Sequence, residues 1–401
     1  MEQTPLSNRT HIAIYGNRNA GKSALLNAIV GQEVSLVSEF KGTTTDPVQK
    51  TMELLPLGPV VFIDTAGLDD QGELGLLRVK RTEKIFQRTD FAIYVLDGSA
   101  VDKAAYAQTI HKFKVFNIPY LTVINKVDTL SPEQIEELKG DFPQALFTSA
   151  LKQSHILELK DRLIQSIEQA EAEPSLIGGL VPYNGTVVMV VPVDSEAPKG
   201  RLILPQVQLI RDCLDHGIKA HVVRDTELAD TLKDLKKIDL VVTDSQAFGL
   251  VNQMLPPSMP LTSFSILFAR QKGDLQVFIE GVQALEGLKK GSRILISESC
   301  AHNHSHEDIG RIKIPKGLEK HFQKDFQFDF KMGHDFPQED LSQYDLIIHC
   351  GSCMLNAKTM HSRIHMCREK AVPITNYGIV LAYLSGILPR SLSVFSQNQI
   401  S

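Results

Sequence analysis

The chain has 401 residues, and 42 lysines and arginines against 47 aspartates and glutamates leave a formal net charge of −5 with histidine neutral. At roughly 150 residues per domain this length predicts two or three domains, and the acidic balance gives no global electrostatic reason to bind nucleic acid or an anionic membrane. With 43% hydrophobic and 22% charged residues the composition is that of globular material and excludes a disordered chain. Apolar runs such as Val187–Val191 and Gly378–Leu388 fall far short of the ~20 residues a membrane helix needs. The start, Met1-Glu2-Gln3-Thr4-Pro5, has neither the charged nor the apolar region of a signal peptide, so a cytoplasmic protein is expected. Five cysteines, four of them after residue 299, do not make a disulfide framework and direct attention to metal ligation instead.

In chain order, strands are predicted at His11–Tyr15, Val60–Ile63, Phe91–Leu96 and Leu121–Ile124, with helices at Lys22–Val30 and Leu77–Arg88. That alternation predicts a doubly wound α/β domain over residues 1–172. Glu171-Ala172-Glu173-Pro174-Ser175, followed by Gly178-Gly179 and Pro182, reads as a linker of helix breakers. A second α/β domain over 178–264 has strands at Thr186–Val191, His221–Val223 and Asp239–Thr243 and helices near Pro205–Asp215 and Glu227–Leu235, and Pro256-Pro257 and Pro260 close it. A third over 265–401 opens with a helix near Ser265 and has strands at Arg293–Ile296 and Asp345–Ile348. The expected fold is therefore a nucleotide-binding α/β domain followed by two smaller α/β domains.

Gly16-Asn17-Arg18-Asn19-Ala20-Gly21-Lys22-Ser23 fits G-x-x-x-x-G-K-[ST] between a predicted strand and a predicted helix. The glycines let backbone N–H groups face phosphate oxygens at the positive end of the helix; Lys22 reaches the β- and γ-phosphates and Ser23 ligates Mg²⁺. Asp64-Thr65-Ala66-Gly67 ends the next strand, where Asp64 suits a carboxylate holding Mg²⁺ through water and Gly67 an N–H that senses the γ-phosphate. Asn125-Lys126-Val127-Asp128 ends another. There Asp128 can accept from guanine N1–H and the exocyclic amine, Lys126 can lie along the base, and Asn125 can tie the loops. Thr148-Ser149-Ala150 supplies a backbone N–H for guanine O6. The four motifs in this order predict a GTP site.

Over Gly16–Ala150 the chain resembles the Era/TrmE-like translation-factor GTPases, and Gly42-Thr43-Thr44-Thr45-Asp46 is similar to their first switch. The resemblance implies that Thr44 closes over Mg²⁺ and the γ-phosphate. It also implies a hydrophobic residue, Leu68, where Ras-like enzymes place the glutamine that orients water. Asn19 is similar to the asparagine that lets related GTPases bind K⁺ between the phosphates, and so joins Lys22 and Thr44 as a catalytic candidate.

Cys300-Ala301-His302 and His349-Cys350-Gly351-Ser352-Cys353 end two predicted strands, so their side chains are expected to converge in one crevice. A helix is expected directly after the second motif, whose first turn would then supply N–H groups to the thiolates of Cys350 and Cys353. Three cysteines and a histidine suit structural zinc, and three thiolates also suit an iron–sulfur cluster with one iron left open.

A GTPase domain followed by C-x-H, a gap of 46 residues and H-C-x-x-C resembles the FeFe-hydrogenase maturation GTPases, the HydF family. The match also takes in a central segment with Ala197-Pro198-Lys199-Gly200-Arg201. The resemblance implies a homodimer formed by the central domain and a 4Fe–4S cluster on Cys300, Cys350 and Cys353, with His302 and His349 as candidate further ligands. It implies a scaffold that carries a transient di-iron precursor, with the hydrogenase apoprotein and the radical-SAM hydrogenase maturases as partners. The competing expectation is an Era/TrmE-like GTPase of ribosome assembly or tRNA modification with a zinc-stabilised C-terminal module.

Overall fold

The computed structural model describes residues 9–31, 48–65, 84–169, 174–193, 200, 202–299, 308–333, 336–337 and 340–395. The chain divides into two compact units, residues 1–172 and 173–401. The first is built on a six-stranded sheet: β1 (Thr10–Tyr15), β2 (Val48–Leu54), β3 (Gly58–Asp64), β4 (Phe91–Asp97), β5 (Tyr120–Asn125) and β6 (Leu146–Phe147), in the order β2-β3-β1-β4-β5-β6. All neighbours run parallel except β2, which pairs antiparallel with β3. The central strands are apolar on both faces because both are covered. Leu25, Leu26 and Ile29 of the helix Lys22–Val30 pack on one face with Leu159 and Leu163, and Phe86, Ile110, Phe113 and Phe142 pack on the other.

The strands expected in this unit are all present, each extended by one to three residues, and the helix Lys22–Val30 has the expected bounds. Of the helix expected at Leu77–Arg88, residues 84–86 are helical and 77–83 lie outside the described residues. β2 and β6 were not expected. β2 is a polar edge whose Gln49, Lys50, Thr51 and Glu53 dilute its apolar alternation, and β6 has two residues.

The second unit carries two four-stranded parallel sheets. One has β7 (Thr186–Val190), β8 (Lys219–Val223), β9 (Leu240–Thr243) and β10 (Leu261–Ser263), ordered β10-β9-β7-β8. The other has β11 (Arg293–Glu298), β12 (Gln327–Met332), β13 (Leu346–His349) and β14 (Ile374–Asn376), ordered β12-β11-β13-β14. A single hydrophobic core runs through both, from Leu176 to Phe395. The helix Phe264–Lys272 packs against the helix Leu204–Asp215 and against the helices Ala357–Glu369 and Tyr377–Leu384, so it belongs to the packing of both sheets. The prolines at 256–260 do not close the first of these sheets, because β10 follows them directly; β10 and β14, at three residues each, are too short to show a period. Among the described residues no helix is long and apolar enough to cross a membrane.

The helix Leu275–Gln283 lies so close on β14 that a Cβ at Gly281 would sit 1.9 Å from the carbonyl oxygen of Ile374. Backbone rather than a flexible side chain is met there, so the overlap is relieved only by moving the helix off the sheet. Gly281→Ala is expected to destabilise the second unit by about 1–3 kcal/mol, the usual cost of overpacking, seen as a lower urea midpoint with unchanged slope.

Candidate functional sites

The phosphate loop leaves the carboxyl end of β1, where the strand order reverses between β1 and β4, the place at which open α/β sheets hold ligands. Two of its glycines are required. Gly16 has φ +139° and a Cβ there would lie 2.1 Å from the Val95 carbonyl oxygen; Gly21 has φ +88° and a Cβ would lie 2.3 Å from Asn125 Nδ2. Asn19 is also in the left-handed region, at φ +65°. Lys22 is buried and its Nζ donates across the loop to the carbonyls of Gly16 and Asn17. Ser23 Oγ donates to Asp64 Oδ2 at 2.6 Å, so a hydroxyl and a carboxylate, both hard oxygen ligands, stand together. That donor set fits Mg²⁺. Thr44, Gly67 and Leu68 lie outside the described residues.

On the far side of the sheet ends, Asn125 joins two loops: its Nδ2 donates to the Ala20 carbonyl at 3.1 Å and its Oδ1 accepts from Ala150 N–H at 3.0 Å. Lys126, at φ +65°, extends to Asp97 Oδ2 at 2.6 Å. Asp128 Oδ1 accepts from Ser149 Oγ. Asp97 is a site residue that sequence reasoning missed. Partial burial pushes its carboxyl up, but hydrogen bonds from Lys126 and Ser99 outweigh this and hold it below the ordinary carboxylate range. Its signal was available: it ends β4 and pairs in register with Asn125, which puts it beside any residue following β5. Asp102 is a second such residue, accepting from Asn17 Nδ2 at 3.2 Å while capping the helix Lys103–Val115.

The cysteine motif follows the same rule in the second unit. The chain passes from β11 to β12 on one side and then to β13 on the other, so the strand order reverses between β11 and β13, and Ser297 pairs in register with His349. The two strand ends thus run side by side. Cys350 N–H donates to the Ser297 carbonyl at 2.9 Å, and Ser299 N and Oγ each lie 3.0 Å from Cys350 Sγ. Ser299 thus sets an N–H donor and a hydroxyl against one sulfur, and Cys300 is the next residue along the chain. Cys350 and Cys353 are partly exposed. Cys213 and Cys367 are buried core residues whose thiols are pushed up to about 12 by burial. Cys300 and His302 lie outside the described residues, and among the described ones no three His, Cys, Asp or Glu are grouped to hold a metal ion.

One local expectation is corrected. The helix after the motif begins at Ala357, with Asn356 as its cap; Cys350 and Cys353 lie on the preceding loop, where Ser352 takes φ +58°. The N–H donor to Cys350 is therefore Ser299 and not a helix terminus. His349 is fully buried. Its Nε2 meets Arg363 Nη1 at 2.6 Å and its Nδ1 lies 3.0 Å from the Cys350 carbonyl oxygen and 3.2 Å from Ser352 Oγ. Burial first, then the Arg363 charge, lower its pKa to about 3, so it is neutral. Both ring nitrogens are engaged within the fold.

A phosphate loop at one sheet switch point, with the base motif beside it, defines the class: a P-loop guanine-nucleotide-binding domain joined to an α/β unit bearing a cysteine pair. Family models agree with that division. The 50S ribosome-binding GTPase model matches residues 11–126, the hydrogen maturase F dimerization domain matches 176–273 and the hydrogen maturase F tetramerization domain matches 276–394. The chain belongs to the hydrogen maturase F family, with a GTPase domain at its amino-terminal end. Both later domains are oligomerisation domains. Among curated proteins it is 34% identical over 174 residues to GTPase Der of Kosmotoga olearia, covering 40% of this chain and 39% of that one. It is 34% identical over 172 residues to the tRNA modification GTPase MnmE of a Synechococcus strain, covering 41% and 35%. An uncharacterized protein of Methanocaldococcus jannaschii is 34% identical over 180 residues, 39% of this chain and 96% of that one. The chain thus spans about two fifths or less of the length of Der and MnmE.

Asn125 is 2% exposed, so removing its amide strands one buried carbonyl and one N–H. Asn125→Ala is expected to cost the first unit about 1–3 kcal/mol, the penalty for buried polar groups left unmade, and to weaken guanine nucleotide binding with it. Thermal unfolding with and without GDP separates the two effects.

Proposed function

We propose that this protein is a GTP-hydrolysing scaffold of FeFe-hydrogenase maturation, which carries a 4Fe–4S cluster on Cys300, Cys350 and Cys353 and passes a di-iron precursor to the hydrogenase apoprotein. The observation that carries the proposal is the junction of Ser299 with Cys350: two strand ends 51 residues apart in sequence meet just before Cys300. Membership of the hydrogen maturase F family supports the maturation role, and its dimerization and tetramerization models support a homo-oligomer, a homodimer formed by the central sheet being its simplest unit. The radical-SAM maturases would be the source of the precursor.

In the nucleotide site, water attacks the γ-phosphorus in line with the leaving GDP oxygen. Lys22 and the loop N–H groups balance charge on the β- and γ-phosphate oxygens. Ser23 and Asp64 would hold Mg²⁺, Asp64 through water, with Thr44 as the further ligand that the resemblance implies. Mg²⁺ would supply positive charge to offset that of the phosphates. Asp128 reads the guanine edge, Lys126 is braced by Asp97, and Ser149 and Ala150 line the base. Leu68 cannot orient water, and Asn19, which is in the left-handed region of the loop, would share a K⁺ with the phosphates, as its likeness to the asparagine of related GTPases implies. GTP turnover is expected to be about tenfold faster in K⁺ than in Na⁺ at equal ionic strength, or about 1.4 kcal/mol in barrier. Asn19→Ala should erase that difference and spare binding. Equal rates in the two salts for the unaltered protein would remove K⁺ from the mechanism.

In the cysteine site, the three thiolates fit the donor set of an iron–sulfur cluster. Cys300, Cys350 and Cys353 would hold three irons of such a cluster, and the fourth would be free to take an exchangeable ligand. Protein purified without oxygen should carry about four irons per chain with visible absorption, and Cys353→Ala should lose most of the iron while keeping basal GTP hydrolysis. One zinc per chain and no visible absorption would instead assign the site to a structural zinc module.

A further inference from the structure

We propose that Arg363, buried directly behind the H-C-x-x-C loop, is the counter-charge of the cluster and, through His349, the residue that positions Cys350. This rests on the cluster assigned to Cys300, Cys350 and Cys353.

Arg363 stands in the helix Ala357–Glu369 and is 2% exposed. Its Nη1 lies 2.6 Å from His349 Nε2 and 3.4 Å from Ser297 Oγ, its Nη2 donates to the Gly333 carbonyl at 2.7 Å, and its Cζ lies 4.8 Å from the Phe336 ring centroid. Each of these described partners is neutral. An arginine has only donors, so Nε2 of His349 accepts, and the imidazole proton sits on Nδ1. That proton points to the Cys350 carbonyl oxygen at 3.0 Å. The chain of donors therefore has one direction, from the guanidinium through the imidazole to the backbone of the cysteine.

Burial lowers the Arg363 pKa only to about 10, so the group is cationic at neutral pH. A buried cation surrounded by neutral acceptors is costly unless an anion lies close. Among the described residues, the acidic side chains that bear on it most are two thiols, Cys350 and Cys367. Cys367 is held protonated by burial, so of those two Cys350, with whatever it ligates, is the candidate negative partner. A second basic residue stands behind the same loop: Lys272, 1% exposed, donates Nζ to the Leu355 carbonyl at 2.9 Å, two residues past Cys353. A thiolate-ligated cluster is anionic, and each electron it gains adds one negative charge. A fixed buried cation favours the reduced form more than the oxidised one.

The test uses the full chain, purified without oxygen and reconstituted with iron and sulfide, as the unaltered protein and as Arg363→Met, Arg363→Gln and Arg363→Lys. Iron per chain and the midpoint potential, followed by electron paramagnetic resonance, are the readouts. Met and Gln should shift the reduction equilibrium at least tenfold toward the oxidised cluster, about 59 mV for one electron, while Lys, which keeps the charge, shifts it by less than half as much. Gln is uncharged like Met but keeps a polar amide in the buried position, so it decides the matter should Met fail to fold. Iron lost from Met and Gln but kept by Lys supports the same conclusion through affinity. A midpoint unchanged in Gln, or moved as far by Lys as by Gln, overturns the counter-charge role. An unaltered protein that takes up no iron sinks the cluster assignment itself, and this inference with it.

Discussion

Parallel pairing is the constraint on which both sites depend. In a parallel sheet every carboxyl end faces the same way, and where the strand order reverses the two loops part and leave a crevice. β1 and β4 create that crevice in the first unit and β11 and β13 in the second. Residues with no sequence relation are thereby set side by side: Asp64 with Ser23, Asp97 with Lys126, Ser299 with Cys350. The cost is that both faces of each sheet must be covered, which is why the central strands are apolar on both faces while the edges carry polar residues.

The two crevices handle negative charge by different means. The phosphate loop uses a curled backbone and one lysine, and its tightness is fixed by glycines that cannot be replaced without striking Val95 or Asn125. Its charge partner is an exchanging ligand, so the lysine must also be content without it; the carbonyls of Gly16 and Asn17 serve that purpose. In the cysteine crevice the donors nearest the sulfur are neutral, from Ser299, and the basic side chains stand one layer behind. A neutral inner layer stabilises thiolate without competing with iron for it, whereas a lysine against the sulfur would compete for the same lone pairs.

Much of the fold was legible because its strands are apolar runs ended by motifs of known chemistry. The phosphate loop, Asp64, the Asn125–Asp128 segment and the strands leading to the cysteines could be found from spacing alone. What escaped detection was short, tertiary, or a polar sheet edge such as β12, where Gln327, Asp329 and Lys331 break the apolar run. β10 and β14 have three residues each, fewer than a period needs, and β2 is a polar edge. The expectation that Cys350 and Cys353 open a helix failed because Asn356, a better cap than either, lies further on and accepts from Thr359 N–H. Arg363 was invisible for a different reason: an arginine on a helix reads as solvated surface until the fold buries it.

The same point separates the histidine beside the motif from the cysteines in it. In sequence His349 is a candidate further ligand beside Cys350, because it ends β13 and Cys350 follows directly. On an extended strand, however, neighbouring side chains leave on opposite faces, so a strand end cannot present both to one crevice. Cys350 takes the open side and meets Ser299; His349 goes into the core, where Arg363 fixes its tautomer and the freed Nδ1 proton returns to the cysteine backbone. The alternation that denies His349 a place in the crevice is thus what makes it useful behind it, since only a residue on the opposite face can tie the loop to a buried charge.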